Sequence, residues 1–173
     1  MVIYGVSFDL VGKQPIVLLK TAEGNKFLPI WIGHPEAAAI LMKLQGSEPP
    51  RPMTHDLLQS IVEELGASVL RIAVTELREN TFYARIYLRA NGTELEIDSR
   101  PSDAIALAIR ADAPIFVADR VIEESAIEFE GEEVNEEEII DEFKSFLDRV
   151  SAEDFAEAEV EEEDVESDVE DED

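Results

Sequence analysis

"FYARIYLRANGTELEIDSRPSDAIALAIR", residues 82–110, changes hydrophobic period halfway along, and that change decides the fold class. Phe82, Ala84, Ile86 and Leu88 alternate with Tyr83, Arg85, Tyr87 and Arg89, the two-residue period of a strand with one apolar face. Asn91-Gly92 is a two-residue type I′ hairpin signal. It sets Arg89 opposite Glu94, Tyr87 opposite Glu96 and Arg85 opposite Asp98, while Leu88 meets Leu95 and Ile86 meets Ile97. After Asp98 the period breaks. Arg100, Pro101, Ser102 and Asp103 read as the start of a helix over 101–111, with Ser99 or Arg100 at the cap. Pro101 sits where its missing N–H does no harm, and Asp103 complements the helix dipole. The "AIALAI" that follows is apolar nearly all round, so this helix must be buried on several sides, in a core or in an oligomer interface.

The strand before this hairpin, 68–78, should add Leu70, Ile72 and Val74 to the same apolar face. That requires Val74 opposite Ile86 and a three-residue turn at Glu79-Asn80-Thr81, and it places Arg71 opposite Arg89. The polar face then carries Arg71, Arg85 and Arg89 interleaved with Tyr83 and Tyr87. Such a face could hold phosphates and stack bases. It could equally be a solvated face of cross-strand ion pairs, each contributing about 0.2–1 kcal/mol. Only the neighbouring Arg71 and Arg89 favour an anion.

Working outward, apolar runs bounded by turn signals predict strands at 2–10, 15–21 and 26–32. A helix follows over 34–45, with Ala37, Ile40, Leu41 and Leu44 at helical spacing and Gly46 as its stop. The prolines of "GSEPPRPMT" (46–54) exclude regular structure. A second helix runs 55–65, capped by Thr54, apolar at Leu57, Leu58, Ile61, Val62 and Leu65, and ended by Gly66. Further strands are read at 93–98 and 114–118. The expected fold is α+β: a mixed, mostly antiparallel sheet with helices. The order strand, strand, strand, helix occurs twice, and the junctions "IWIGHPEAAAILMKL" (30–44) and "LEIDSRPSDAIALAIR" (95–110) are alike. This suggests a duplicated β-β-β-α unit, with convergence on good helix-start chemistry as the alternative.

The chain has 173 residues and a formal net charge of −27. Residues 1–122 hold 15 acidic and 12 basic side chains, so the acidity belongs to the C-terminal end and says little about what the main domain binds. "EEEIIDEFKSFLDRV" (136–150) has apolar residues at helical spacing, and a helix over 134–150 should dock on the domain. Residues 156–173 contain 12 acidic and no basic residues, the composition of a disordered acidic tail. We therefore expect a domain over 1–155 and a tail over 156–173. A chain of carboxylates imitates a nucleic-acid backbone and could compete for a basic groove, or it could serve solubility alone. No apolar run approaches the ~18 residues of a membrane span, and the N-terminus reads as a strand rather than a signal peptide. The cytoplasm is the expected compartment.

The residue chemistry alone is sparing. There are two histidines, His34 and His55, far apart and without paired ligand spacing, and no cysteine. The carboxylates Glu36, Asp56, Asp98 and Asp103 could bind Mg²⁺ or Mn²⁺ together with a phosphate. Glycine-rich phosphate loops, serine elbows and dinucleotide fingerprints are missing.

Four segments resemble the bifunctional nuclease (BFN) domain family: "LPIWIGHPEAAAI" (28–40), "RPMTHDLLQSIVEELGA" (51–67), "IDSRPSDAIALAIRADAPIFV" (97–117) and "FKSFLDRVSAEDF" (143–155). They stand in the family's order and cover most of residues 1–155. The third is the most specific. The resemblance implies DNase and RNase activity of low sequence specificity, an α+β fold and a homo-oligomer, with a dimer as first expectation. Many bacterial members carry a C-terminal UVR-type module, in whose place this sequence has the acidic tail. The matching polar residues are His34, Glu36, His55, Asp56, Asp98, Arg100, Ser102 and Asp103. Phosphodiester hydrolysis needs an activated water, charge stabilisation at phosphorus and an acid for the leaving oxygen. On that chemistry Asp98 and Asp103 are the expected metal ligands or base, His55 the acid and Arg100 the phosphate clamp. Ser102, Arg71, Arg85 and Arg89 are the expected substrate contacts. The rival reading is a non-catalytic oligomeric module that binds a protein or ligand partner.

Overall fold

Two three-stranded meanders, each leading into a helix, organise the computed structural model, which describes residues 1–8 and 14–128. The expected docking helix at 134–150 and the acidic tail at 156–173 lie outside the described residues. The first meander is β1 (Val2–Phe8), β2 (Pro15–Lys20) and β3 (Lys26–Trp31), followed by α1 (His34–Leu44) and α2 (Thr54–Glu64). The second is β4 (Ala67–Arg78), β5 (Thr81–Ala90) and β6 (Thr93–Ser99), followed by α3 (Pro101–Ala111). Then come β7 (Ile115–Val117), α4 (Asp119–Ser125) and β8 (Ile127–Glu128).

The fold is α+β, and its strands form two four-stranded sheets, ordered β1-β2-β3-β8 and β6-β5-β4-β7. Every pairing is antiparallel except β4 with β7. The β-β-β-α order therefore recurs, but the fourth strand joins β3 in one sheet and β4 in the other. No helix among the described residues is long and apolar enough to cross a membrane.

The β5–β6 hairpin has the register set by Asn91-Gly92, with Arg85 opposite Asp98 and Arg89 opposite Glu94. The β4–β5 register differs from the expected one. Glu79 and Asn80 both take the left-handed conformation, at φ 50° and 52°, so the turn has two residues and Arg78 pairs with Thr81. Two bulges, between Val69 and Arg71 and between Val74 and Glu76, then shift the register twice. Ile72 meets Ile86, Arg71 meets Tyr87, and Arg89 faces Ser68. Val69 packs on the core in the role expected for Leu70. The adjacent Arg71–Arg89 pair, the one feature of that face favouring an anion, does not form.

Helix α3 is the centre of the core. It packs against α1 and α2 on one side and β4 and β5 on the other. Ala104, Ile105, Ala106, Leu107 and Ala108 are 0–1% exposed. The all-round apolar pattern thus belongs to the core of a single chain, not to a subunit interface.

Candidate functional site

Polar side chains from the first turns of three helices meet at one end of α3. Arg100 is the N-cap of α3, held extended at φ −68°, ψ 146°, with Pro101 behind it. From this position its guanidinium reaches both ways. Nε donates to Asp103 Oδ2 at 2.7 Å, and Nη2 donates to Glu36 Oε1, on α1, at 2.8 Å. The other oxygen of Asp103, Oδ1, is 3.0 Å from His55 Nε2 on α2. One chain of contacts, Glu36–Arg100–Asp103–His55, therefore ties α1, α2 and α3 together.

The electrostatics fix the proton positions. Burial works to raise the Asp103 carboxyl, but the Arg100 and His55 hydrogen bonds and their charges outweigh it, and its pKa lies below the ordinary value. Asp103 is therefore ionised at neutral pH and can only accept. The proton shared across the contact therefore sits on His55 Nε2, which leaves Nδ1 as the ring's second working atom. Hydrogen bonds from Asp103 and then Glu36 raise the Arg100 pKa. Arg100 is 66% exposed and uses two of its N–H donors in these contacts, leaving others for a ligand. His55 is buried at 7% exposure, so it is the inner and Arg100 the outer member of the cluster.

A second tie stands beside the first. Arg110, 9% exposed, donates from Nε to Asp56 Oδ1 at 2.6 Å, from Nη1 to Ala106 O at 2.8 Å and from Nη2 to Ala39 O at 3.1 Å. Asp56 Oδ2 accepts the Met53 N–H at 2.8 Å, so Asp56 closes the start of α2, where Met53 rather than Thr54 is the cap. Burial works to raise Asp56, and the Met53 and Arg110 hydrogen bonds bring it below its ordinary value. Arg110 was not singled out in the sequence. Its signal was there: a lone charge in a helix apolar all round must have a buried partner.

The other sequence candidates lie elsewhere. Asp98 is 68% exposed on β6, with Arg85 Nη1 at 3.6 Å, and does not join the cluster. Arg85 also approaches Glu96 at 3.4 Å. Arg71 donates to Glu94 at 2.6 Å, and its guanidinium lies 3.9 Å from the centre of the Tyr87 ring. Arg89 is exposed across from Glu94. This sheet face carries cross-strand ion pairs. His34 is exposed at the start of α1, with its ring 6.4 Å from that of Phe8. The carboxylates offered to a divalent cation are not arranged for one. Among the described residues no three His, Cys, Asp or Glu side chains converge to hold a metal ion, and Arg100 engages both Glu36 and Asp103.

Next to the cluster is a cleft of about 380 Å³. It is lined by Arg100, Pro101 and Ser102 of the α3 start, by Gln14 and Pro29–Gly33, by Leu77 with Asn80–Phe82, and by Ser125 of α4. Ser102 is 6% exposed.

The profile of the bifunctional nuclease domain matches residues 17–130. An uncharacterized protein of Mycobacterium tuberculosis is 39% identical over 159 residues, which cover 88% of this chain and 95% of that protein. Bifunctional nuclease 1 of Oryza sativa subsp. japonica is 32% identical over 109 residues, 61% of this chain and 33% of its own length. Bifunctional nuclease 1 of Arabidopsis thaliana is 28% identical over 108 residues, 60% of this chain and again 33% of its own. The matched segment contains β3, the four helices of the described residues and the whole Glu36–Arg100–Asp103–His55 cluster. The chain belongs to the bifunctional nuclease domain family.

Proposed function

We propose that this protein is a nuclease that hydrolyses phosphodiester bonds of DNA and RNA with little sequence preference. The observation that carries the reading is the contact chain itself: an exposed arginine and an oriented histidine sharing one ionised carboxylate, Asp103. In this reading Arg100 turns its remaining N–H donors to the scissile phosphate and balances the charge that grows on its oxygens. His55, oriented through Nε2 by Asp103, gives the proton on Nδ1 to the leaving oxygen as the phosphorus–oxygen bond breaks. Glu36, which gives one carboxylate oxygen to Arg100, takes the proton of the attacking water. Asp103 is a positioning residue. Because the described residues do not fit a resident Mg²⁺ or Mn²⁺, no step is routed through one. A requirement for either would mean that the ion arrives on the phosphates of the substrate.

The test is cleavage of single- and double-stranded DNA and RNA by the purified chain, with Mg²⁺, with Mn²⁺ and with EDTA. Activity that disappears in Asp103→Asn and His55→Gln, at unchanged melting temperature, supports the nuclease. Activity equal in wild type and variants would identify a contaminant and remove the reading.

One observation favours a second reading, a homodimeric binding module without catalysis. Leu57, Ile61 and Leu65 stand one helical turn apart on α2 and are 53%, 47% and 76% exposed. Apolar residues left open in this pattern suit a second copy of the chain. The same assay separates the two readings, because the module would dimerise and cleave nothing.

A further inference from the structure

The cleft beside Arg100 has features that the ionic cluster does not use. Ser102 is more than nine-tenths buried, and among the described residues no hydrogen bond ends on its hydroxyl, although it lines the cleft. What remains exposed of this residue borders the cleft, so its hydroxyl is free to bond a ligand there. Ser125 Oγ, which lines the same cleft, is buried and has no partner among the described residues. The start of α3 adds donors. Pro101 has no N–H and the Ala104 N–H bonds Arg100 O at 3.1 Å, so the amides of Ser102 and Asp103 precede the first helical bond. Beside these polar groups the lining includes the apolar and aromatic Pro29, Ile30, Trp31, Leu77 and Phe82, with Gln14, Asn80 and Thr81 among them.

A recess that is polar and donor-rich at one end and aromatic along its sides has the chemistry of a phosphate joined to a flat ring. We propose that it is the subsite for one nucleotide of a single-stranded chain. The phosphate lies at Ser102 and the first-turn amides of α3, within reach of Arg100, and the base lies along Trp31 and Phe82. This rests on the nuclease reading for its substrate class and goes beyond it in strandedness. At about 380 Å³ the cleft accepts one unstacked nucleotide and not a base pair, so a duplex must release a base before it can be held. Sequence tolerance follows, because stacking on an aromatic wall does not read base edges.

Trp31 is the chain's one tryptophan and lines the cleft, so the full-length protein carries its own reporter. The experiment titrates it with TMP, thymidine, a single-stranded oligothymidylate and a blunt duplex, following Trp31 emission. The expected result is a saturable change with TMP and with oligothymidylate, mutual competition between them, at least tenfold weaker binding of thymidine, and no change with the duplex. Ser102→Ala should weaken TMP about fivefold, and Ser102→Val, which fills the recess, should abolish binding. If Ser102→Val does not fold, Ser102→Ala and the wild-type comparison of TMP with thymidine still decide. No emission response to TMP or oligothymidylate, or equal affinity for thymidine and TMP, overturns the proposal. Saturable binding without hydrolysis overturns the nuclease reading and leaves the subsite standing. Hydrolysis that needs Asp103, with no response at Trp31, overturns the subsite and leaves the nuclease.

Discussion

His55 Nε2 and Asp103 Oδ1 are 3.0 Å apart, although 48 residues separate them in the chain. The contact joins the first turn of α2 to the first turn of α3 and gives the imidazole a fixed partner. Asp103 has a further partner in Arg100 at 2.7 Å, so orienting the histidine and anchoring the arginine are tasks of one carboxylate.

If the cluster performs the reaction, its members should separate by role. His55→Gln should lower kcat by about 10²–10⁴, the usual contribution of a positioned acid or base. Asp103→Asn should lower it as well, and should alter the acid limb of the pH–rate profile, which a purely structural role would not move. Arg100→Lys keeps the charge but loses the planar fork, and a loss of about 10²–10³ is expected. Steady-state kinetics paired with thermal melts check this, and full activity in Arg100→Lys would remove the clamp.

The pH dependence of stability follows from the same carboxylates. Asp103 and Asp56 have folded-state pKa values below the ordinary 3.8. In the unfolded chain they hold their protons up to a higher pH than in the folded protein. Their contribution is therefore fully present above the ordinary value and is lost as pH falls through the depressed folded values. Denaturant midpoints measured from pH 6 down to pH 2 should drop steeply below about pH 4. Asp103→Asn and Asp56→Asn should each flatten that drop, and an acid limb unchanged in both variants would contradict the assignment.

Much of this architecture was legible in the residues. The β5–β6 register followed from Asn91-Gly92, because only a two-residue turn kept Ile86 and Ile97 on one face. The start of α3 followed from Pro101 and Asp103. The β4–β5 register did not follow. A bulge leaves no mark in a run such as "SVLRIAVTELR", where Val69 and Leu70 are both apolar and either could face the core, and Glu79 does not advertise a left-handed turn. Helix α4 and strand β8 escaped because seven and two residues are too short for a periodic signal. At the site, helix-start chemistry identified Glu36, Asp56, Arg100 and Asp103 as a class. It could not say which would meet, since that depends on how α1 and α2 cross α3. Asp98 stands two residues from Arg100 in the sequence, but it points with the polar face of β6, and Arg110, through Asp56, makes the second ionic tie between helices.

The Asp56–Arg110 pair should be structural. Removing one member leaves the other charge poorly paired; a fully buried pair loses about 3–5 kcal/mol, and Asp56, 30% exposed, should lose less. Arg110 also keeps two carbonyl acceptors when Asp56 is lost, so Asp56→Ala should cost about 1.5–3 kcal/mol, the range of one hydrogen bond to a charged group. Arg110→Met with Asp56→Leu replaces both charges by apolar groups and should be less destabilised than either single variant. Urea denaturation of the four proteins measures the coupling, and additive losses would show that the pair is not a unit.

Self-association should run through α2. Leu57, Ile61 and Leu65 follow one another at a spacing of four, one turn apart on a single helix face, and Leu58 beside them is 36% exposed. They have between a third and three-quarters of their burial still to gain, worth about 1 kcal/mol per side chain. A symmetric pairing uses the patch twice, which doubles that gain. Leu57→Glu with Ile61→Glu places two carboxylates of one copy against two of the other. Sedimentation velocity should show a dimer for the wild-type chain and a monomer for this variant, with dissociation shifted at least a hundredfold. His55 shares the first turn of α2 with Leu57, but it is 7% exposed against 53%, so the substitutions fall on the outer face of the helix and cleavage per chain should persist in the monomer. A wild-type chain that sediments as a monomer at tens of micromolar would refute the pairing, and a variant that remains dimeric would move the interface elsewhere. In that case the edge strand β6, where Leu95 and Ile97 are 43% and 44% exposed, is the surface to vary next.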